Sequence, residues 1–172
     1  MGAGDLVAAR AALATQIKAD SLERFYQTSS AIGEAALLSD SGINFAHVLP
    51  LSAQAMSAYP RIAEYTRLHG LLLYRAGRFN EALPVLQKAK ELSGDDGAIL
   101  FLLAMTHRNL GAENEAQSWL TQATKKRGEW THARHGPSSS RASWGDVAKL
   151  NLLSREAEGV FALPIPEARG RR

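Results

Sequence analysis

An all-α fold, a right-handed solenoid of stacked helix pairs with a C-terminal capping helix, is predicted by three features of this 172-residue chain. The first is an internal repeat. Leu68/Leu102, Gly77/Gly111, Asn80/Asn114, Glu81/Glu115, Ala82/Ala116, Leu86/Leu120 and Ala89/Ala123 are identical at a single offset of 34 positions, without a gap. Self-similarity at a fixed period of this length marks units that bury their apolar faces by stacking on one another. The second is the spacing of apolar residues by three and four within each copy, which is helical. The third is composition: 45% hydrophobic and only 7% aromatic residues suit close helix–helix contact better than a β-sandwich.

Residues 1–29 read as a helical segment with Leu6, Leu13, Ile17, Leu22 and Phe25 on its buried side. Residues 30–60 read as a degenerate unit, because Ala55 precedes Ala89, and Pro60 precedes Gly94, by the same 34 positions. Its helices are expected over 30–38 and 45–59, with a turn at 39–44 and a disturbance at Pro50. Residues 61–127 hold the two clear units. The first has a helix over 62–75, a stop at Gly77 and a second helix over 79–92 with Ala82, Leu86 and Ala89 inward. Pro84 falls past the first turn of that second helix, where it removes a hydrogen bond and should loosen the start. The second unit repeats the plan, with Leu100, Leu103, Ala104 and Leu110, then Gly111, then Ala116, Leu120 and Ala123.

Residues 128–143 break the pattern as a basic, Ser/Gly-containing linker around Gly136-Pro137-Ser138-Ser139-Ser140. An amphipathic helix follows within 144–162, with Val147, Leu150, Leu153, Ala157 and Phe161 on one face. A solenoid needs such a cap to cover its last apolar surface. Pro164 and Pro166 end it, and 163–172 reads as a disordered basic tail.

Gly77-Arg78-Phe79-Asn80-Glu81-Ala82 resembles the turn into the second helix of a tetratricopeptide repeat, a 34-residue helix–turn–helix unit. More narrowly, residues 73–79, 101–111 and Arg155-Glu156-Ala157-Glu158 following Trp144 resemble repeat regions near the C-termini of large bacterial multidomain proteins. Some of those proteins also carry kinase or β-propeller domains. No kinase motif accompanies the resemblance here. The Trp usual at position four of the first helix is also replaced, by Thr66 and Leu100.

The resemblance implies a concave face lined by positions two, five, nine, twelve and thirteen of each first helix. Here these are Glu64, Arg67, Leu71, Tyr74 and Arg75, then Ala98, Phe101, Met105, Arg108 and Asn109. Arg67, Leu71, Tyr74, Arg75, Phe101, Met105, Arg108 and Asn109 form the expected partner-binding set. Its aromatics and Met would anchor a peptide or protein segment, and its arginines would favour an acidic one. The competing reading gives Phe101 and Met105 to packing between repeats. The family's Lys/Asn clamp for a C-terminal carboxylate is not reproduced, since Leu71 and Met105 stand where polar donors are needed.

The expected function is therefore protein–protein binding by an adaptor or scaffold. A structural or self-associating repeat domain, a homo-oligomer, is the first alternative. Nucleic-acid binding through Lys125, Lys126, Arg127, Trp130, Arg134 and Arg141 is the second and is disfavoured for want of a recognition motif. No enzyme, cofactor or metal is expected. There is no cysteine, no catalytic constellation in a suitable context and no phosphate-cradling glycine loop, and His132 with His135 offers two ligands where a metal needs about three or four. Asp5, Arg10, Gln16 and Lys18 interrupt any leader-like apolar run, and no stretch approaches the roughly 18 apolar residues of a membrane span. The expectation is a cytoplasmic protein.

Overall fold

The computed structural model describes residues 22–37, 42–94, 96–133 and 144–162, and every regular element among them is a helix. In chain order these are α1 (Leu22–Ala36), α2 (Phe45–Ala58), α3 (Ala63–Arg75), α4 (Phe79–Ser93), α5 (Gly97–Asn109), α6 (Glu113–Ala133) and α7 (Trp144–Ala162). The pairs α3/α4 and α5/α6 are the most intimate, as antiparallel neighbours joined by short turns. They are the two copies of the repeat.

Both copies turn on the same device. Gly77 (φ 73°) and Gly111 (φ 77°) adopt the left-handed conformation just past α3 and α5, where a Cβ would be strained. Arg78 N–H then donates to Leu73 O (2.9 Å) and Gly77 N–H to Tyr74 O (3.0 Å). Ala112 N–H to His107 O (2.9 Å) and Gly111 N–H to Arg108 O (3.1 Å) repeat the pattern. These bonds satisfy the last carbonyls of each helix and reverse the chain. Asn44 and Asp96 cap α2 and α5, their side chains accepting from Ala46 N–H and Ala98 N–H.

Close approach within the first copy depends on Gly70. A Cβ there would stand 2.6 Å from Leu86 Cδ2 and 2.9 Å from its Cγ. Ala82, Leu86 and Ala89 present the buried stripe of α4, and Ala116 and Ala123 that of α6, as the periodicity predicts. The core also takes in Ile32 and Ala36 of α1 and Val48, Leu49 and Ala55 of α2.

Three local expectations are corrected. The helix preceding the first turn is not confined to 30–38: α1 runs unbroken from Leu22 to Ala36. Phe25 and Ile32, seven apart, are both buried on one face, which carries the helix through the polar stretch between them. Gly128 does not end α6, which continues to Ala133. One helical Gly costs about 1 kcal/mol relative to Ala, which the Lys126–Glu129 pair and the contact with α5 offset in part. Pro84 lies inside an uninterrupted α4 on its exposed side, where the ring meets solvent. Residues 1–21, 134–143 (with His135 and Arg141) and 163–172 lie outside the described residues, as do the side chains of Trp130, His132 and Val147.

The C-terminal helix departs from simple stacking. α5 sits chiefly on α4 and little on α3, as each new unit does on the second helix of the last. α7 does the reverse, lying chiefly on α5 and less on α6. It therefore covers the inner helix of the second repeat.

Candidate functional site

The inner face is built by α3 and α5, and their sequences differ in one respect that decides its shape. α3 keeps polar residues at its first turns, Glu64 and Arg67, whereas α5 is apolar on every side from Gly97 to Met105. A helix without a polar face must be covered all round. Every α5 residue from Gly97 to Arg108 is buried, with α6, α4 and α7 supplying the cover. Leu150, Leu153 and Ala157 are the buried apolar residues of α7, and Leu150 faces Gly97 of α5. Gly97 lets them close in, since a Cβ there would stand 2.8 Å from Leu150 Cδ2.

A single carboxylate ties α7 to the first repeat. Glu156 makes a bidentate pair with Arg75, Oε2 lying 2.7 Å from Nη2 and Oε1 close to Nη1. Arg75 also donates from Nε to Ala36 O (2.5 Å) and from Nη2 to Leu37 O (2.8 Å), at the carbonyl end of α1. One guanidinium thus joins three helices, using the planar fork that Arg offers and Lys lacks. The Tyr74 hydroxyl lies 3.4 Å from Glu156 Oε1 and 3.6 Å from Met105 Sδ. Burial, and next the Glu156 carboxylate, push its ionisation well above the ordinary tyrosine range, so it stays a neutral donor.

Further along, Arg108 pairs with Glu113 and stands 5.3 Å over the Phe161 ring near the end of α7. Asn109 turns back to its own helix, Nδ2 donating to Met105 O at 2.8 Å. Arg67 is paired with Glu64 (Nε to Oε2, 3.2 Å) and stands 4.0 Å from Asp96.

The structure thus brings Tyr74, Arg75, Met105 and Arg108 together beneath α7, with Leu71, Phe101 and Met105 in the core at 2% exposure or less. The packing reading of Phe101 and Met105 describes their surroundings. Glu156 and Phe161, which complete this arrangement, were seen in the sequence only as parts of a cap. The signal that could have placed them was the all-round apolarity of α5.

A second polar feature was missed altogether. In the core between α2 and α3, Ser52 Oγ lies 2.8 Å from His69 Nδ1 and donates to Leu49 O at 2.9 Å. With its one proton on that carbonyl, Ser52 accepts from Nδ1–H, which fixes the neutral tautomer. His69 borders a cavity of about 500 Å³ lined by Phe45, Leu49, Leu73 and Ala76, with Arg78 and Glu81 at its edge. Burial, and secondarily the Arg78 charge, hold the His69 pKa below its usual 6.5.

The folded state therefore disfavours the imidazolium that the unfolded chain accepts. Its contribution to stability is complete above pH 6.5 and is lost as the pH falls toward the folded pKa. His107, lowered by burial as well, acts in the same direction. Melting temperature is expected to fall between pH 7.5 and 5, and His69→Gln, which keeps a hydrogen-bonding side chain without titrating, should flatten that slope. An unchanged slope would show that His69 does not govern it.

Residues 73–135, from the end of α3 through α6, match the family model of the tetratricopeptide repeat. No curated protein matches the chain. Among the described residues, no helix is long and apolar enough to cross a membrane.

Proposed function

We propose that this helical-repeat domain is a protein–protein interaction module of the adaptor or scaffold kind, whose inner face receives an acidic peptide or protein segment. The tetratricopeptide repeat generally serves protein–protein interaction, and a partner for it is the coarse expectation. The observation that carries the finer reading is charge. Arg67, Arg75 and Arg108 stand on the same inner helices, and Arg75 already holds a carboxylate there in a bidentate pair. Apolar contact would supply most of the affinity, and the arginines would set charge preference and association rate. Of the expected set, Arg67, Tyr74, Arg75, Arg108 and Asn109 are the contacts this reading assigns, while Leu71, Phe101 and Met105 support them from the core.

Arg67→Glu tests this while leaving the Arg75–Glu156 pair intact. Arg67 faces Glu64, which is exposed, and Asp96 at 4.0 Å, so the variant is compared with wild type only after circular dichroism shows it folded. Capture of partners from the native cells by tagged protein, followed by titration of the captured partner, should show a loss of affinity of about tenfold, steepest at low salt. A folded variant that retains the same partner at equal affinity would count against an acidic ligand on this face.

A further inference from the structure

We propose that the inner face recognises an amphipathic helix of a partner that carries a carboxylate flanked by apolar residues, and that α7 is the intramolecular occupant of that seat. The inference rests on the inner-face reading above and adds the partner's chemistry to it.

Three observations support it. α7 is not stacked as a further repeat: it lies chiefly on α5, the first helix of the second repeat, with Arg127 of α6 reaching Ser154 on it. The seat is chemically particular. Leu150, Leu153 and Ala157 are buried in the core, Leu150 against Gly97 of α5, and Glu156, beside them in the sequence, is directed to Arg75 and Tyr74. Phe161 takes the Arg108 guanidinium on its ring at the far end. Finally, the receptor side offers one cation, Arg75, to its occupant. Arg75 keeps 6% of its side-chain surface beneath α7, so an occupant bearing no carboxylate would leave its charge desolvated without its pair, whereas Arg108 already has Glu113 of α6. The pattern demanded of a partner is thus two apolar residues three apart, a carboxylate three further on, a small residue next to it, and an aromatic about one turn later.

Because α7 holds the seat, an outside helix binds with its affinity reduced by the fraction of chains in which the seat is vacant. The test uses a labelled peptide with the sequence of residues 144–162, titrated by fluorescence anisotropy against the full chain and its full-length Leu153→Ser variant. The peptide should bind the Leu153→Ser chain at least about tenfold more tightly than wild type. The same peptide with Glu156→Gln should lose about tenfold on that chain, a change that cannot affect folding of the receptor.

Equal affinity for both chains would place the peptide elsewhere and overturn the proposal. So would an unaffected Glu156→Gln peptide. If Leu153→Ser unfolds the whole domain by circular dichroism and the peptide also fails to bind wild type, α7 is an integral part of the core and the proposal fails. A dimer that forms with rising chain concentration and takes up no peptide would assign the face to a second copy, again against it. Failure of the peptide together with loss of partner affinity in Arg67→Glu would leave the general inner-face reading standing with a different ligand.

Discussion

Arg75→Met is expected to destabilise the domain by about 3–5 kcal/mol, read as a lower midpoint in urea and a lower melting temperature. Met retains much of the aliphatic stem, so the loss is electrostatic rather than a cavity. What remains is a carboxylate on Glu156 with 21% of its side-chain surface, and two carbonyls at the end of α1, all without their donor. Removing one partner of a buried pair leaves the other uncompensated, which is why the loss exceeds that of an ordinary surface pair. The residual exposure of Glu156 argues for the lower half of the range. A loss under about 1 kcal/mol would mean that the three-helix tie behaves as a solvent-screened contact. The double variant Arg75→Met/Glu156→Met should recover part of the loss, because it removes both charges together.

Phe101→Ala should cost about 3–5 kcal/mol. The ring is 1% exposed, in the middle of a helix covered on every side, and its removal leaves a cavity that Leu102, Leu103 and Met105, all at 1% or less, have little room to fill. This result bears on function as well as stability. A Phe101→Ala protein that fails to bind a partner would then be reporting a damaged core. Unchanged stability with lost binding would restore Phe101 to the contact surface. The comparison with Arg67→Glu, which alters ion pairs with Glu64 and Asp96 and leaves the Phe101 packing in place, separates the two cases.

The repeat was legible because its signals are local. Gly77 and Gly111 each require a left-handed turn, and Ala82/Ala116 and Ala89/Ala123 each require a small residue at the helix contact, so the same chemistry recurs 34 residues apart. The capping helix was legible for the same reason, since Leu150, Leu153 and Ala157 fall on one face at helical spacing. Helix ends were less so. α1 passes through residue 30 and α6 through Gly128 because contacts with distant helices outweigh local preference.

Spacing and turn chemistry were enough to show that this chain makes helix pairs and where they turn. That α7 lies chiefly on α5 is a matter of packing across the fold. Periodicity shows which side of a helix is buried and is silent on what buries it. The bonds from Arg75 to Ala36, Leu37 and Glu156 join positions 38 to 81 residues apart, and such pairings leave no trace in spacing. They arise because one guanidinium can satisfy a helix end and a carboxylate at once, and the fold places both within its reach.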